Sequence, residues 1–222
     1  MTKEEYFGDW IKVIDEKLLY STLHKIYYLY RTESIMPEYK DIFKAFTLCP
    51  FENLKVVFLG QDPYPQKGVA TGILFGNNKL PISPSLEVIK EAAINYTVPK
   101  DSFTFDITLE SWAKQGILMI NSSFTVKENM PGSHTMIWRP FVASLLAKIG
   151  EIKTGIIYCL FGKKAQTFEP YIGKNNFIFK VQHPAYFART GLKMDSKLFK
   201  NINNILFSIY GEQINWINYL DV

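Results

Sequence analysis

Residues 55–65 read KVVFLGQDPYP, an apolar run that ends in a glycine, a carboxylate and two prolines. A short apolar run bounded by turn-forming residues predicts a buried strand followed by a rigid turn. Three further apolar runs have the same character and carry few charges, which is typical of strands covered on both faces. The four predicted strands are Lys55–Leu59, Ile117–Ile120, Gly155–Phe161 and Phe177–Val181.

Helical patterns alternate with these strands. The predicted helices are Trp10–Tyr30, a short turn at Asp41–Phe46, Ser85–Ala93, Trp138–Ile149 and Lys197–Tyr210. Because parallel neighbours need crossover connections, the alternation predicts an α/β fold with a central, mostly parallel four-stranded sheet and helices on both faces. No repeat, low-complexity tract or linker marks a boundary, so we expect a single domain over residues 1–222.

Composition narrows the class of protein. No stretch of the chain approaches the roughly 18 uninterrupted apolar residues of a membrane helix. The first residues, Met1–Glu5, lack the pattern of a secretory signal, so we expect a cytoplasmic protein. Cys49 and Cys159 are the only cysteines and the three histidines lie far apart, so we expect no metal. Lys and Arg exceed Asp and Glu by 25 to 21, which suits a polyanionic partner but equally an ordinary enzyme.

Polar side chains follow three of the predicted strands. They are Asp62, Asn121 and His183. Each alone is more typical of a turn or of a satisfied polar group. Because the carboxyl ends of parallel strands meet at one edge of a sheet, we expect the three side chains to surround one crevice. A carboxylate, an amide and an imidazole suit glycosidic cleavage, in which the sugar gains positive charge and the leaving base gains negative charge.

Four sequence blocks carry a more specific resemblance. The blocks VVFLGQDPY at 56–64, PSLE at 84–87, WAKQGILMIN at 112–121 and HP at 183–184 resemble, in order, the motifs of family 1 uracil-DNA glycosylases. The resemblance extends from residues 35–43 to residues 214–216. It implies an enzyme that hydrolyses the N-glycosidic bond of uracil flipped out of DNA, leaves an abasic site for base excision repair, and needs no metal or organic cofactor.

The resemblance also implies a role for each site residue. Asp62 would act on the attacking water and support the positive charge of the sugar. His183 would donate to uracil O2 as the base leaves, and Asn121 would pair with uracil O4 and N3–H, a pattern that cytosine cannot match.

The remaining base contacts follow from the same resemblance. Tyr64 would occupy the space of a thymine methyl, because an apolar pocket discriminates one methyl by only about 1–3 kcal/mol and rejection needs a clash. Phe75 would stack on the flipped base, and Gln61 would contribute a backbone or side-chain contact.

DNA contacts are implied for a second set of residues. Phe187, which stands where the family usually has leucine, would be the wedge that fills the duplex after base flipping, with Tyr186 as its competitor. Ser85, with Pro84 before it, would clamp a phosphate, and His134 would have a supporting role.

The chain departs from the family pattern at three phosphate-contact positions. Pro65 replaces a histidine, and Ala185 and Ala188 replace serines. Each lost contact should weaken DNA binding and flatten its salt dependence. Arg189, Lys193 and Lys197 are candidates to compensate.

The expected partner is uracil-containing DNA, single- or double-stranded, with a monomeric enzyme and no membrane. A DNA-mimicking acidic inhibitor protein is a family-level expectation. Because the phosphate contacts are altered, the alternative is a catalytically weak DNA-binding or replication-accessory protein derived from a glycosylase. A small-molecule enzyme is disfavoured because no Gly-x-Gly-x-x-Gly turn or phosphate loop follows a strand. A glycosylase for another base also stays open, although Tyr64 and Asn121 favour uracil.

Overall fold

The computed structural model of the protein describes residues 6–220. The Met1–Glu5 segment, on which the prediction about a secretory signal rests, lies outside the described residues. In the described part the strands are β1 (Ile35–Met36), β2 (Val56–Gly60), β3 (Phe103–Thr104), β4 (Ile117–Asn121), β5 (Val126–Lys127), β6 (Ile157–Phe161), β7 (Phe177–Val181) and β8 (Asn218–Tyr219).

The helices alternate with the strands of the central sheet. The α-helices of the described part are α1 (Glu16–Thr32), α2 (Lys44–Leu48), α3 (Pro84–Thr97), α4 (Glu110–Ala113), α5 (Thr135–Ile152), α6 (Gly162–Gln166), α7 (Pro184–Thr190) and α8 (Lys197–Tyr210). Short 3₁₀ turns lie at Gly8–Lys12, Tyr39–Asp41, Phe51–Asn53 and Glu169–Tyr171.

A four-stranded sheet with the order β4-β2-β6-β7 lies at the centre. All three neighbouring pairs are parallel, and the register pairs Gly60 with Asn121 at the carboxyl ends of β2 and β4. Every residue of β2, β4 and β6 is buried. The structure thus confirms the predicted parallel sheet, with observed strand bounds within two residues of the predicted ones.

The outer strand β7 corrects one prediction. Its residues are exposed or half-buried, with Phe177 at 41% exposure. Among the described residues the strand pairs only with β6, and it forms an edge of the sheet. The prediction that all four strands are covered on both faces is therefore wrong for β7, in which Phe179 and Val181 pack against an apolar cluster while Ile178 and Lys180 are exposed.

The N-terminal helix is shorter than predicted. Asp15 adopts an extended conformation, and its side chain accepts from the Leu18 N–H at 3.1 Å, which makes it the N-cap of α1. The predicted continuous helix from Trp10 is wrong because this cap separates α1 from a preceding 3₁₀ turn. The predicted turn at Asp41–Phe46 divides between a 3₁₀ turn and α2, whereas α8 has the predicted bounds.

Two apolar clusters cover the two faces of the sheet. Alternate strand residues point to opposite sides, so that Val57 packs in one cluster and Val56 in the other. Helices α1 and α5 contribute to the first cluster, and α3 and α8 contribute to the second. The structure confirms that helices flank both faces. Within residues 6–220 no helix has the length and apolar character required to cross a membrane.

Candidate active site

A cavity of about 850 Å³ opens at the carboxyl ends of the parallel strands. Pockets for small organic ligands commonly measure about 300–1,000 Å³. Its wall contains every residue predicted to act on the base or the sugar: Gln61, Asp62, Tyr64, Phe75, Asn121 and His183. The structure therefore brings together the three strand ends whose convergence the sequence predicted.

Hydrogen bonds continue past the ends of β2 and β4. The Ser122 N–H donates to the Gly60 carbonyl, and the Ser123 N–H donates to the Gln61 carbonyl, both at 3.0 Å. The Ser122 hydroxyl also donates to the Gln61 carbonyl at 3.1 Å. These bonds fix the segment that carries Asp62 against the segment that begins at Asn121.

The Asp62 carboxylate has one engaged and one free oxygen. Oδ2 accepts from the Gly132 N–H at 3.0 Å and from the Gln61 side-chain amide at 2.7 Å. Oδ1 is buried and has no hydrogen-bond partner within the described residues. Burial raises the pKa of Asp62, while the hydrogen bonds from Gln61 and Gly132 and the positive charge of Lys164 act against this rise. Oδ1 is thus an acceptor available to a group in the cavity.

The Asn121 side-chain oxygen is buried and unengaged. Asn121 is 8% exposed, and its Oδ1 is buried with no partner among the described residues. The neighbouring Gly60 leaves room for this side chain, since a Cβ at residue 60 would lie 2.8 Å from Asn121 Oδ1 and would force the Leu74 side chain to move. A buried amide oxygen without a partner is costly, so this site suits a ligand that supplies an N–H donor.

The His183 imidazole has a defined tautomer. His183 is the N-cap of α7, and its Nδ1 accepts from the Ala185 N–H at 3.1 Å. A nitrogen that accepts carries no proton, so in the neutral ring the proton lies on Nε2. Burial lowers the pKa of His183, and the positive charge of Arg189 lowers it further. The ring is therefore a neutral Nε2–H donor at neutral pH.

Tyr64 and Phe75 form an aromatic wall. The Phe75 ring meets the His183 ring edge to face, with centroids 5.7 Å apart, and the Phe161 ring at 5.2 Å. The Tyr64 hydroxyl donates to the Phe75 carbonyl at 3.2 Å and accepts from the Ser83 hydroxyl at 2.5 Å. Burial raises the pKa of Tyr64 to about 12, so the phenol stays protonated at neutral pH.

Several of the predicted DNA-contact residues line the cavity. Pro84 and Ser85 line the cavity, where they lie in the first turn of α3, and Ser85 is 7% exposed. Ala185, Ala188 and Arg189 also line the cavity, on or beside α7, which packs against α3.

The predicted wedge lies on α7. Phe187 is half-buried and packs against the apolar cluster that contains Phe58, whereas its competitor Tyr186 is 38% exposed. The two rings contact each other at 5.5 Å.

His134 differs from its predicted placement. Its side chain is 3% exposed, and its Nδ1 lies 2.9 Å from the Thr125 hydroxyl, which also accepts from the Trp138 indole N–H. Burial lowers the pKa of His134. A buried, internally bonded imidazole has no surface for a DNA contact, which corrects the predicted DNA-binding role and leaves a supporting role at the start of α5.

Sequence reasoning missed several residues that hold the site. Gly132 and Lys164 act on Asp62, while Ser83 and Asn77 act on the aromatic wall. Only Ser83 left a recognisable signal, because a serine directly before Pro84 fits an N-cap followed by proline at the first helical position. Gln61 was expected to contact the base, yet its side-chain amide is engaged with Asp62. Among residues 6–220 no group of three or more His, Cys, Asp or Glu side chains is arranged to hold a metal ion.

Comparison with known proteins identifies a family and close relatives. The model of the Uracil DNA glycosylase superfamily matches residues 46–207. The uracil-DNA glycosylase of Desulfitobacterium hafniense is 33% identical over 218 residues, which are 94% of this chain and 96% of the relative. That of Mycoplasmopsis pulmonis is 38% identical over 192 residues, which are 84% of this chain and 85% of the relative.

Solved structures give the same result for the fold. The mimivirus uracil-DNA glycosylase has a TM-score of 0.76 at 22% identity, with 96% of this chain and 91% of that chain covered. A mimivirus UNG in complex with UGI also has a TM-score of 0.76, at 24% identity, with 97% and 94% covered. At these identities the likeness is one of fold.

Proposed function

The chain belongs to the uracil DNA glycosylase superfamily, as its sequence motifs predicted, and we propose that its cavity hydrolyses the N-glycosidic bond of uracil flipped out of DNA. The enzyme is a hydrolase that releases uracil and begins base excision repair. One observation carries the assignment to this cavity: two buried oxygens without partners, Asp62 Oδ1 and Asn121 Oδ1, line the same cavity as the Nε2–H donor of His183.

Asp62 acts on the sugar side of the scissile bond. Breaking the bond between C1′ and N1 leaves positive charge on the sugar, which the carboxylate stabilises. The free Oδ1 accepts a proton from water as the water oxygen bonds to C1′. Because Gly132 and Gln61 occupy Oδ2, the carboxylate is fixed with Oδ1 as its reactive oxygen.

His183 and Asn121 act on the base. The bonding electrons leave with uracil, and the Nε2–H of His183 donates to the oxygen at which negative charge collects. Asn121 Oδ1 accepts from uracil N3–H and its amide N–H donates to O4. Cytosine presents an acceptor at N3 and a donor at C4, so it would leave the buried Asn121 oxygen unpaired, which is a strong basis for rejection.

The remaining site residues shape the pocket and bind the DNA. Tyr64 excludes a 5-methyl group, and Phe75 stacks on the base. Phe187 enters the duplex in place of the flipped nucleotide. Pro84 and Ser85 position one phosphate.

Exposed positive charge near the site supports a polyanionic partner. Lys164 and Arg189 are exposed and act electrostatically on Asp62 and His183 respectively. A DNA-mimicking acidic inhibitor would dock on the same rim. We further propose that residues 1–222 form one domain that acts as a monomer in the cytoplasm. The alternative of a catalytically weak DNA-binding protein is not favoured, because the acid, amide and imidazole all line one cavity.

Base release from matched oligonucleotides tests the proposal. Substrates that contain one uracil, thymine or cytosine at the same position are compared as single strands and as duplexes. We expect release of uracil far faster than release of thymine or cytosine, with an alkali-labile site at that position. Tight DNA binding without any alkali-labile site in the uracil substrate would overturn the proposal and favour the DNA-binding alternative.

A further inference from the structure

We propose that Ser83 and Asn77 are positioning residues that fix the distance between the Tyr64 and Phe75 rings and thereby set how strictly the pocket rejects 5-methylated pyrimidines. This inference rests on the proposed uracil excision and deepens it. Neither residue belongs to the motifs that indicated the family, and neither was predicted from the sequence to act at the site.

Ser83 connects the Tyr64 ring to helix α3. Its hydroxyl donates to the Tyr64 hydroxyl at 2.5 Å and accepts from the Leu86 N–H at 3.2 Å, as the N-cap of α3. The Tyr64 hydroxyl therefore reaches the helix that carries Ser85 through a single side chain. A phenol held at its far end by a helix cap cannot tilt away from the base without breaking this bond.

Asn77 connects the same serine to Phe75. The Asn77 side chain is fully buried, and its Oδ1 accepts from the Ser83 N–H at 2.6 Å. Its Nδ2 donates to the Phe75 carbonyl at 3.1 Å and lies 3.4 Å from the Ser83 hydroxyl. The Asn77 N–H donates to the Ile107 carbonyl at 2.9 Å, which anchors the residue to the body of the protein.

The backbone at Phe75 requires such support. Phe75 has φ of 64°, a left-handed conformation that a residue with a Cβ adopts only when its surroundings impose it. Its carbonyl accepts from both the Tyr64 hydroxyl and the Asn77 amide. The four residues thus form a closed hydrogen-bond network. The Tyr64 hydroxyl is bonded to the Phe75 carbonyl and to Ser83, and the Phe75 carbonyl is bonded to Asn77.

Rejection of thymine depends on the rigidity of this network. A pocket that merely binds a methyl group less well discriminates weakly between thymine and uracil. A large preference for uracil therefore needs a steric clash with a ring that is fixed in place. A Tyr64 ring released from Ser83 retains its volume but can move aside. Loss of the hydrogen bond from Ser83 should therefore change the rate of thymine excision far more than the rate of uracil excision.

The test compares the uracil-to-thymine ratio of kcat/KM in single-turnover base release. We expect Ser83→Ala and Asn77→Ala to reduce this ratio by about tenfold or more, since one methyl in an apolar pocket is worth about 10–200-fold. Ser83→Thr retains the hydroxyl and should restore the parental ratio. A residue that served only the fold would lower both rates together and leave the ratio unchanged.

A separate control tests whether loss of a helix cap alone changes the ratio. Asp15→Ala removes the N-cap of α1, whose side chain accepts from Leu18 as Ser83 does from Leu86, and Asp15 does not line the cavity. This variant should lose a comparable amount of stability and keep the parental ratio. In a double-mutant cycle with Tyr64→Phe, adding Ser83→Ala should change the ratio no further, because the shared hydrogen bond is already absent.

Two failures are distinguishable. Unchanged ratios in Ser83→Ala and Asn77→Ala, in a parent that excises uracil, would overturn this inference alone. A parent that releases no uracil would overturn the proposed function, and this inference with it. Additive effects of Ser83→Ala and Tyr64→Phe would also overturn the inference, because they would show that the serine acts by another route.

Discussion

The two sides of the cavity hold their reactive groups in different ways. On the sugar side, Asp62 follows the buried central strand β2, and its Oδ2 accepts from Gly132, a residue distant in sequence. On the base side, His183 follows the edge strand β7, and its Nδ1 accepts from Ala185 in its own helix. The carboxylate is thus fixed by tertiary structure, whereas the imidazole is fixed by a local helix cap.

This difference affects the pKa of each group. Burial opposes ionisation at both positions, raising the pKa of Asp62 and lowering that of His183. At Asp62, hydrogen bonds from two segments and the charge of Lys164 oppose the effect of burial, which favours the ionised form. At His183, the charge of Arg189 adds to the effect of burial and favours the neutral form. The effect of burial is therefore partly offset at the carboxylate that faces the sugar, whereas it is reinforced at the imidazole, which faces the base as a neutral donor.

Asp62→Asn tests the sugar side and should have the largest effect. We expect kcat to fall by about 10²–10⁴-fold, the typical contribution of a positioned base, with DNA binding largely retained.

The same variant also tests stability. Because the folded-state pKa of Asp62 is raised, the stability that this group contributes is fully present below its unfolded-state pKa and is lost as the pH rises through its folded-state pKa. The uncharged variant should thus be at least as stable as the parent at neutral pH. Single-turnover base release and denaturant unfolding measure the two effects, and unchanged turnover would contradict the role of Asp62.

His183→Asn tests the base side while keeping the helix cap. Asparagine is a good N-cap residue and can accept from α7, but it is too short to replace the Nε2–H donor. We expect kcat to fall by about 10²–10³-fold, as when one donor to a developing oxyanion is removed. The helix content and the midpoint of unfolding serve as the control and should stay close to those of the parent. A variant with parental kcat would show that capping α7 is the whole contribution of His183.

Gly132→Ala tests the distant contact that distinguishes the sugar side. Gly132 has φ of 85°, so alanine would be strained there although its Cβ has space. Displacement of the N–H would release Asp62 Oδ2, and we expect a loss of about tenfold in kcat, since a hydrogen bond to a charged group is worth about 1.5–3 kcal/mol. The matched control is Gly211→Ala, with φ of 70° in open space at the end of α8. It should suffer similar strain and keep full activity, and equal activity in both variants would contradict the role of Gly132.

The sequence predicted one part of this arrangement and missed another. The parallel sheet and the convergence of Asp62, Asn121 and His183 were predictable, because apolar runs separated by helical patterns determine which ends of the strands meet. The exposure of β7 was not predictable from its composition, since central and edge positions follow from the order of strands in the sheet.

The supporting contacts had almost no local signal. Gly132 lies 70 residues from Asp62, and no periodicity or motif relates one backbone N–H to a distant carboxylate. The bonds from Ser83 and Asn77 to the aromatic wall likewise depend on the path of the loop between Phe75 and α3. His134 was assigned to DNA by motif position alone, and its burial against Thr125 depends on packing that the motif does not encode.

Lys164→Gln probes the charge balance at Asp62 with the smallest expected effect. Lys164 is exposed, and its positive charge lowers the pKa of Asp62 against the effect of burial. Without that charge the pKa of Asp62 rises, so the carboxylate becomes protonated at a higher pH and the acidic limb of the kcat/KM profile moves upward. The shift should be larger at low ionic strength, because salt screens exposed charges. Lys163→Gln removes the neighbouring exposed charge, and we expect it to weaken DNA binding without moving the limb. Equal shifts in both variants would mean that the limb reports general DNA attraction, whereas a shift confined to Lys164→Gln would mean that it reports ionisation of the buried carboxylate.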